Sequence, residues 1–191
     1  MKPFLIIMLC FCAFACTTNT KNTAPNLLWH FNAKQNNAQM DHQLQPIITG
    51  YQELLRGLVN KDTLYIKETG MGLIKLSDSL AGLTLATDTL LQNNWANGLV
   101  NISAELQGML ISNSEQDLKE LTMSMNMTAV QILKLLSDIG YKEHNVYIFN
   151  ATSEFIEDGV YWISLQKNTK NPFSQNNKDE IQAQGILQEM K

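Results

Sequence analysis

Apolar residues recur along the middle of this chain at helical spacing. Leu44, Ile47, Tyr51, Leu54 and Leu58 advance by three and four residues in turn, which places them on one face of a helix starting near Met40. Pro46 falls in its first turns, where a missing N–H is tolerated. Asn60-Lys61-Asp62 breaks the pattern, and Asp62 has the chemistry of an N-cap for a second helix. That helix carries Leu64, Ile66, Leu73, Ile74, Leu76 and Leu80, with Gly70, Gly72 and Gly82 lowering its propensity. A third runs through Trp95, Leu99, Ile102, Leu106 and Met109, preceded by the polar stretch Gln92-Asn93-Asn94. The fourth holds its spacing longest, through Leu118, Leu121, Met125, Thr128, Ile132, Leu135 and Ile139. Ser112 and Glu115 form a capping-box signature before it, and Gly140 follows as a C′ residue.

Beyond Gly140 the period changes. Val146-Tyr147-Ile148-Phe149 and Val160-Tyr161-Trp162-Ile163 are β-branched and aromatic runs separated by a polar stretch ending in Asp158-Gly159, which reads as a small hairpin. Alternation puts one of Tyr161 and Trp162 toward the core, and Tyr147 with Tyr161 is a candidate aromatic patch on the outer face. Asn171-Pro172-Phe173 is a turn signal, and Asp179 to Met190 offers a final helix through Ile181, Ile186 and Leu187. The expected fold is mainly α: an antiparallel bundle of four helices with a small β-hairpin and a short helix at the C-terminus.

The first residues read differently. Met1-Lys2-Pro3 and the apolar run from Phe4 to Ala15 have the layout of a signal peptide, being too short for a spanning helix of ~20 residues. Ala13-Phe14-Ala15-Cys16 resembles a bacterial lipobox, in which Cys16 is lipidated and becomes the mature N-terminus. Phe14 departs from the small residue usual at its position, so ordinary cleavage after Ala15 is the alternative. Residues 17–39 are rich in Asn, Thr, Gln and Lys and read as a polar tether, interrupted by Leu27, Leu28, Trp29 and Phe31, which suit a short docked segment. The organisation expected is a signal peptide over 1–15, a lipid-anchored tether over 16–39 and one helical domain over 40–191.

Charge and cysteine content narrow the chemistry. Fourteen Lys and Arg against 18 Asp and Glu, a net charge of −4, leave no basic footprint for nucleic acid. All three cysteines, Cys10, Cys12 and Cys16, lie in the leader region, so the domain has no thiol for a disulfide, a zinc site or a nucleophile. No Gly-x-Ser-x-Gly, phosphate-cradling glycine loop or His-Glu-x-x-His occurs. Ser153-Glu154 and Glu157-Asp158 lack a nearby base apart from His144, and loop carboxylates of this kind are ordinarily solvated.

The order of elements resembles domain-of-unknown-function family 3347, exported bacterial domains that also occur appended to heavy-metal efflux adaptor proteins. The resemblance spans Ile47 to Leu187. It rests on Tyr51-Gln-Glu-Leu-Leu-Arg-Gly-Leu-Val59, on Trp95 opening a helix, and on Gly159-Val160-Tyr161-Trp162-Ile163-Ser164 followed by Asn171-Pro172-Phe173. It implies structural roles for Gly159, Trp162, Ser164, Asn171, Pro172 and Phe173. It also implies a metal-handling ancestry, since the family carries Cys-Pro-Met and a Met-x-x-Cys-Gly-like element that suit a soft ion such as Cu(I). Here those elements align with Ala151-Thr152-Ser153 and Gln184-Gly185, and neither cysteine is present.

The remaining soft-metal candidates are Met123, Met127 and His144. Met123 and Met127 share a helix face, whereas Met125 belongs to the core stripe. His30, His42 and His144 have no ligand-like spacing, and Met40-Asp41-His42 is explained by an acid at a helix N-terminus beside a solvated imidazole. No tight metal site, cofactor or catalytic residue is expected. The reading is a non-enzymatic lipoprotein of a Gram-negative cell envelope, facing the periplasm, held to the membrane by its N-terminal lipid and serving as an accessory or interaction module with an envelope protein partner. The alternative is a weak copper or silver binder using Met and His.

Overall fold

The computed structural model describes residues 30–31, 38–85, 87–111, 118–152, 156, 159–174, 180–183 and 185–189. A short strand β1 (His30–Phe31) precedes four helices: α1 (Ala38–Asn60), α2 (Thr63–Ala81), α3 (Thr89–Ile111) and α4 (Leu118–Ile139). Six short strands follow: β2 (Tyr147–Ala151), β3 (Val160–Ser164), β4 (Asn168–Lys170), β5 (Glu180–Gln182), β6 (Gly185–Ile186) and β7 (Gln188–Glu189). The protein is mainly α with a small antiparallel sheet near its C-terminus, as the apolar spacing requires. The leader, Cys16 and the Ser112–Glu115 capping box lie outside the described residues.

The helical stripes become one core. Leu44, Ile47, Tyr51, Leu54 and Leu58 of α1, Trp95, Leu99, Ile102, Leu106 and Met109 of α3, and Met125, Thr128, Ile132, Leu135 and Ile139 of α4 are all buried. Each helix packs chiefly on its neighbours in the chain. Contacts between them run in opposite directions along the sequence, Gly50 against Leu73 and Gly57 against Ile66, so α1 and α2 are antiparallel. Two helix glycines, Gly50 and Gly98, are sites of close approach: a methyl on Gly50 would run into Leu73 Cδ2, and one on Gly98 would lie 2.7 Å from Leu135 Cδ1 and 3.1 Å from Leu135 Cβ. Two polar contacts join α1 to the fourth helix and to the turn that follows it. The Tyr51 hydroxyl donates to the Met125 carbonyl at 3.3 Å, and the Lys142 N–H donates to Asp41 Oδ2 at 3.1 Å.

Helix ends follow local chemistry. Asp62 Oδ1 accepts the Tyr65 N–H at 2.9 Å and caps α2. Just before it, Lys61 sits at φ 56°, with the Lys61 N–H on the Leu58 carbonyl and the Asp62 N–H on the Gly57 carbonyl. That pattern is a Schellman motif with lysine where glycine is usual. Gly140, φ 67°, closes α4 in the same way through Gly140 N–H to Ser137 and Tyr141 N–H to Leu136.

Three expectations change. Pro46 lies in the third turn of α1, where it removes a donor to the His42 carbonyl, and both residues are exposed so that water can take its place. Gln92-Asn93-Asn94 is inside α3, because Asp88 caps the helix earlier: its Oδ1 accepts the Leu91 N–H at 2.9 Å. Gln92 then reaches back, accepting the Leu85 N–H at 2.9 Å and donating to the Leu83 carbonyl at 2.8 Å, while Trp95 Nε1 donates to the Leu80 carbonyl at 2.9 Å. The third change is the C-terminal helix, which does not form. Residues 180–189 are divided among β5, β6 and β7, which pair with β4, β2 and β1 respectively. Three separate strand edges supply these backbone groups with partners, and Gly185 in the middle of the segment disfavours a helix.

The sheet order is β3-β2-β6, with β2 antiparallel to both neighbours. Phe149 faces Trp162 and Ile148 faces Ile163, and all four are buried, so the β2–β3 pair is covered on both sides. Tyr147 pairs with Ser164 and Tyr161 with Asn150, which puts the two tyrosines on opposite faces, so they cannot form the outer aromatic patch. The outward N–H of Tyr161 is taken by Asn126 Oδ1 of α4 at 2.7 Å. β1 runs parallel to β7, and its place beside α4 means that the folded part reaches back into the tether region.

Candidate functional site

Gly159, Trp162, Ser164, Asn171, Pro172 and Phe173 lie in β3 and the segments that flank it. Gly159 enters β3 at φ 82°, and a methyl there would lie 2.7 Å from the Ala151 carbonyl oxygen, which is backbone and cannot rotate aside. Trp162 stacks on Phe149 at 5.3 Å and meets Phe173 edge-on at 5.8 Å. Asn171 Oδ1 accepts the Phe173 N–H at 2.9 Å, an Asx turn that sets Pro172 into the buried region. Ser164 Oγ accepts from Gln52 Nε2 at 3.2 Å and from the Gln166 N–H at 3.0 Å, tying β3 to α1. Each of these residues is engaged in turn geometry or packing.

Ala151 and Gly185, from the two stretches singled out in the sequence, are near one another. Ala151 ends β2 and Gly185 begins β6, where Gly185 lies opposite Ile148, three residues or ~10 Å of strand from Ala151. Ser153 and Gln184 are outside the described residues.

The soft-metal candidates separate. Met123 and Met127 are both exposed, one turn apart on the outer side of α4, while Met125 between them is in the core. His144 is exposed five residues beyond the end of α4, and the turns from Met127 to Ile139 span ~18 Å. His42 pairs instead with Glu143 at 3.7 Å. Among the described residues no group of three or more His, Cys, Asp or Glu is placed to hold a metal ion, and no helix is long and apolar enough to cross a membrane.

Buried polar groups do not converge either. The Ser77 hydroxyl, the Tyr141 hydroxyl and the Trp162 indole N–H are buried without a hydrogen bond among the described residues, and they belong to α2, the turn after α4, and β3. Burial holds the Tyr51 hydroxyl far above the usual phenol range. Burial does the same to Tyr141, with smaller contributions from the negative charges of Glu143 and Asp41. At the surface, Arg56 bridges Glu53 at 2.5 Å, donates to the Tyr65 hydroxyl at 2.7 Å and stacks on the Tyr65 ring, binding α1 to α2.

Exposed apolar side chains are a further feature of the helices. Among the described residues, Leu64, Met71, Leu83, Leu90, Val100, Ile111, Met123 and Met127 are the large exposed hydrophobic side chains, and all lie on α2, α3, α4 or the α2–α3 link. Along α3 the exposed positions are Thr89, Leu90, Asn93, Asn97, Val100, Asn101, Ala104, Gln107, Gly108 and Ile111, with no charge among them. A solvent-facing helix side ordinarily carries charged residues. The sequence held this signal, since Glu105 is the single charged residue in the 23 of α3. Attention to the buried stripe alone passes over it.

No known family model, characterised protein or solved structure matches the chain.

Proposed function

We propose that the protein is a non-enzymatic, periplasm-facing lipoprotein that serves the cell envelope as an accessory or interaction module. The observation that carries this reading is the uncharged outer side of α3, bordered by the exposed apolar residues of α2 and α4. Interface centres are depleted of charge and enriched in apolar side chains, and a surface of that kind is stabilised by a partner that removes it from water. The engagement of Gly159, Trp162, Ser164, Asn171, Pro172 and Phe173 in packing supports a scaffold role for the signature residues. The leader ending in Ala15-Cys16 supports anchoring through lipid.

A photo-crosslinking side chain placed at Val100 should trap a distinct heavier adduct in envelope extracts, and one placed at Lys170 should not. Equal capture at both positions, or at neither, refutes the α3 face as the interaction surface. Anchoring has its own test: incorporation of a fatty-acid analogue should disappear with Cys16→Ala, and equal labelling of both chains refutes it.

Two exposed thioethers one turn apart favour a second reading, a weak soft-metal binder with a degenerate site. Without a thiolate, Met123 and Met127 alone should release Cu(I) to a strong chelator. Retention of stoichiometric copper against that chelator, lost in Met123→Leu/Met127→Leu, would place metal binding first.

A further inference from the structure

The outward face of α2 carries a pattern that the fold of one chain does not use. In order it presents Leu64, Lys67, Glu68, Met71, Gly72, Lys75 and Asp78, with Leu83 just beyond the helix, and all are exposed. Leu64 is 64% accessible and Met71 42%, so the apolar members are well clear of the core. Read from the other end, the order of chemical types is the same: apolar, charged pair, Met71 with Gly72, charged pair, apolar. The signs, however, invert. Turning α2 end over end about Gly72 brings Lys67 within one residue of Asp78 and Glu68 within one residue of Lys75.

We infer that α2 is the seam of an isologous homodimer, in which this face lies antiparallel on the same face of a second copy. At 100° per residue, Lys67 and Asp78 fall on one side of the line through Met71, and Glu68 and Lys75 fall on the other. A two-fold axis keeps each side with itself, so both kinds of pair meet with opposite signs, and each occurs twice. Flanking charges of this kind fix orientation in paired helices.

The four charged side chains are available for these contacts. None of them forms an ion pair or hydrogen bond within the chain among the described residues. Gly72, next to Met71 at the middle of the helix, adds no bulk beside the seam, and a methyl there would meet nothing within 4 Å. Met71 beside it supplies an adaptable apolar contact, and Leu64 of one copy approaches the Leu83 end of the other.

Size sets the expected strength. The 19 residues of α2 make a helix ~28 Å long. A strip of that length and of one helix-pair width buries on the order of 500–600 Å² per partner, at the lower end for specific association. The dimer is therefore weak and exchanging, with dissociation in the micromolar range or above.

The test uses the full chain in the cells that make it. No cysteine follows Cys16, so a cysteine placed at the axis reports the pairing without competition from the rest of the domain. Met71→Cys should yield a disulfide-linked dimer on mild oxidation, well above the background of the unsubstituted chain and of Lys170→Cys on β4. In the Met71→Cys chain, Lys67→Asp should lower the cross-linked fraction about tenfold, because two attractions become two repulsions. Asp78→Lys should do the same, and Lys67→Asp with Asp78→Lys together should restore it. The two positions are eleven residues or ~16 Å apart on one helix, so the rescue cannot be intramolecular. Circular dichroism of each variant should remain that of the parent, since both side chains are exposed. A Met71→Cys chain that links no better than Lys170→Cys, or a double exchange that fails to restore linking, overturns the dimer.

Discussion

Replacing Gly98 with alanine tests whether α3 and α4 approach as closely as described. In a helix interior the change alone should stabilise by about 1 kcal/mol, because alanine restricts the unfolded chain. At Gly98 the new methyl would lie 2.7 Å from Leu135 Cδ1 and 3.1 Å from Leu135 Cβ. The first atom can rotate away, but the second is fixed to the backbone of α4, so the helices must separate by a few tenths of an ångström. Overpacking of a well-filled core costs ~1–3 kcal/mol, which leaves a net loss of about 1 kcal/mol. Gly108 is the control on the same helix, since its methyl would meet nothing within 4 Å. Gly108→Ala should therefore gain about 1 kcal/mol and separate from Gly98→Ala by about 2 kcal/mol. Urea unfolding followed by far-ultraviolet circular dichroism measures both, and thermal melts should differ by roughly 4–8 °C. In a Leu135→Ala background Cδ1 and Cγ are gone and only the 3.1 Å Cβ contact remains, so Gly98→Ala should cost less than in the parent. Equal gains for Gly98→Ala and Gly108→Ala in the parent would refute the close α3–α4 contact.

Other outcomes follow from single residues. Lys61→Gly should stabilise by roughly 0.5–1 kcal/mol in urea unfolding, since Lys61 holds a left-handed conformation that costs a residue with a Cβ. Ile132→Ala should cost ~2–5 kcal/mol because Ile132 is buried, whereas Leu121→Ala should cost less because Leu121 is half-buried. Stability should fall as pH rises above about 10: the unfolded chain then loses phenolic protons that folded Tyr51 and Tyr141 retain. Thermal melts from pH 8 upward should show this fall, and Tyr51→Phe should make it shallower.

Periodicity made the four helices legible because each buries one stripe against chain neighbours, so sequence spacing and tertiary contact carry the same information. Asp62 and Gly140 were readable for a similar reason: their capping roles depend only on residues within a few positions. Asp88 was not, since the polar run Gln92-Asn93-Asn94 resembles a loop until Gln92 is seen holding Leu83 and Leu85. The C-terminal strands were hidden because β5, β6 and β7 exist only through partners remote in sequence, and an Ile181, Ile186, Leu187 spacing fits a helix equally well. The Tyr147–Tyr161 patch failed on register, which the two runs alone do not determine. Of the site residues, Pro172 was legible only as part of a turn signal, and alternation left open whether Tyr161 or Trp162 faces the core, which the β2–β3 register decides for Trp162. The uncharged side of α3 and the inverting charges of α2 concern the exposed faces, where a reading centred on the core has least to say.

The order in which the elements meet bears on how the chain folds. Most packing joins segments that follow one another, α1 with α2, α2 with α3, α3 with α4, and β2 with β3. Local contacts of this kind are closed at low loop-entropy cost and favour rapid collapse, on the millisecond scale or faster for helical domains. The pairing of His30 with Gln188 is the opposite case, for it joins strands at nearly the two ends of the described chain. Only two residues on each strand contribute, so this closure brings few bonds against a large loss of chain freedom. It should form last and open first, at a free energy well below that of global unfolding. Hydrogen exchange should then find the amides of β1 and β7 unprotected while those of α3 and α4 still report the whole domain.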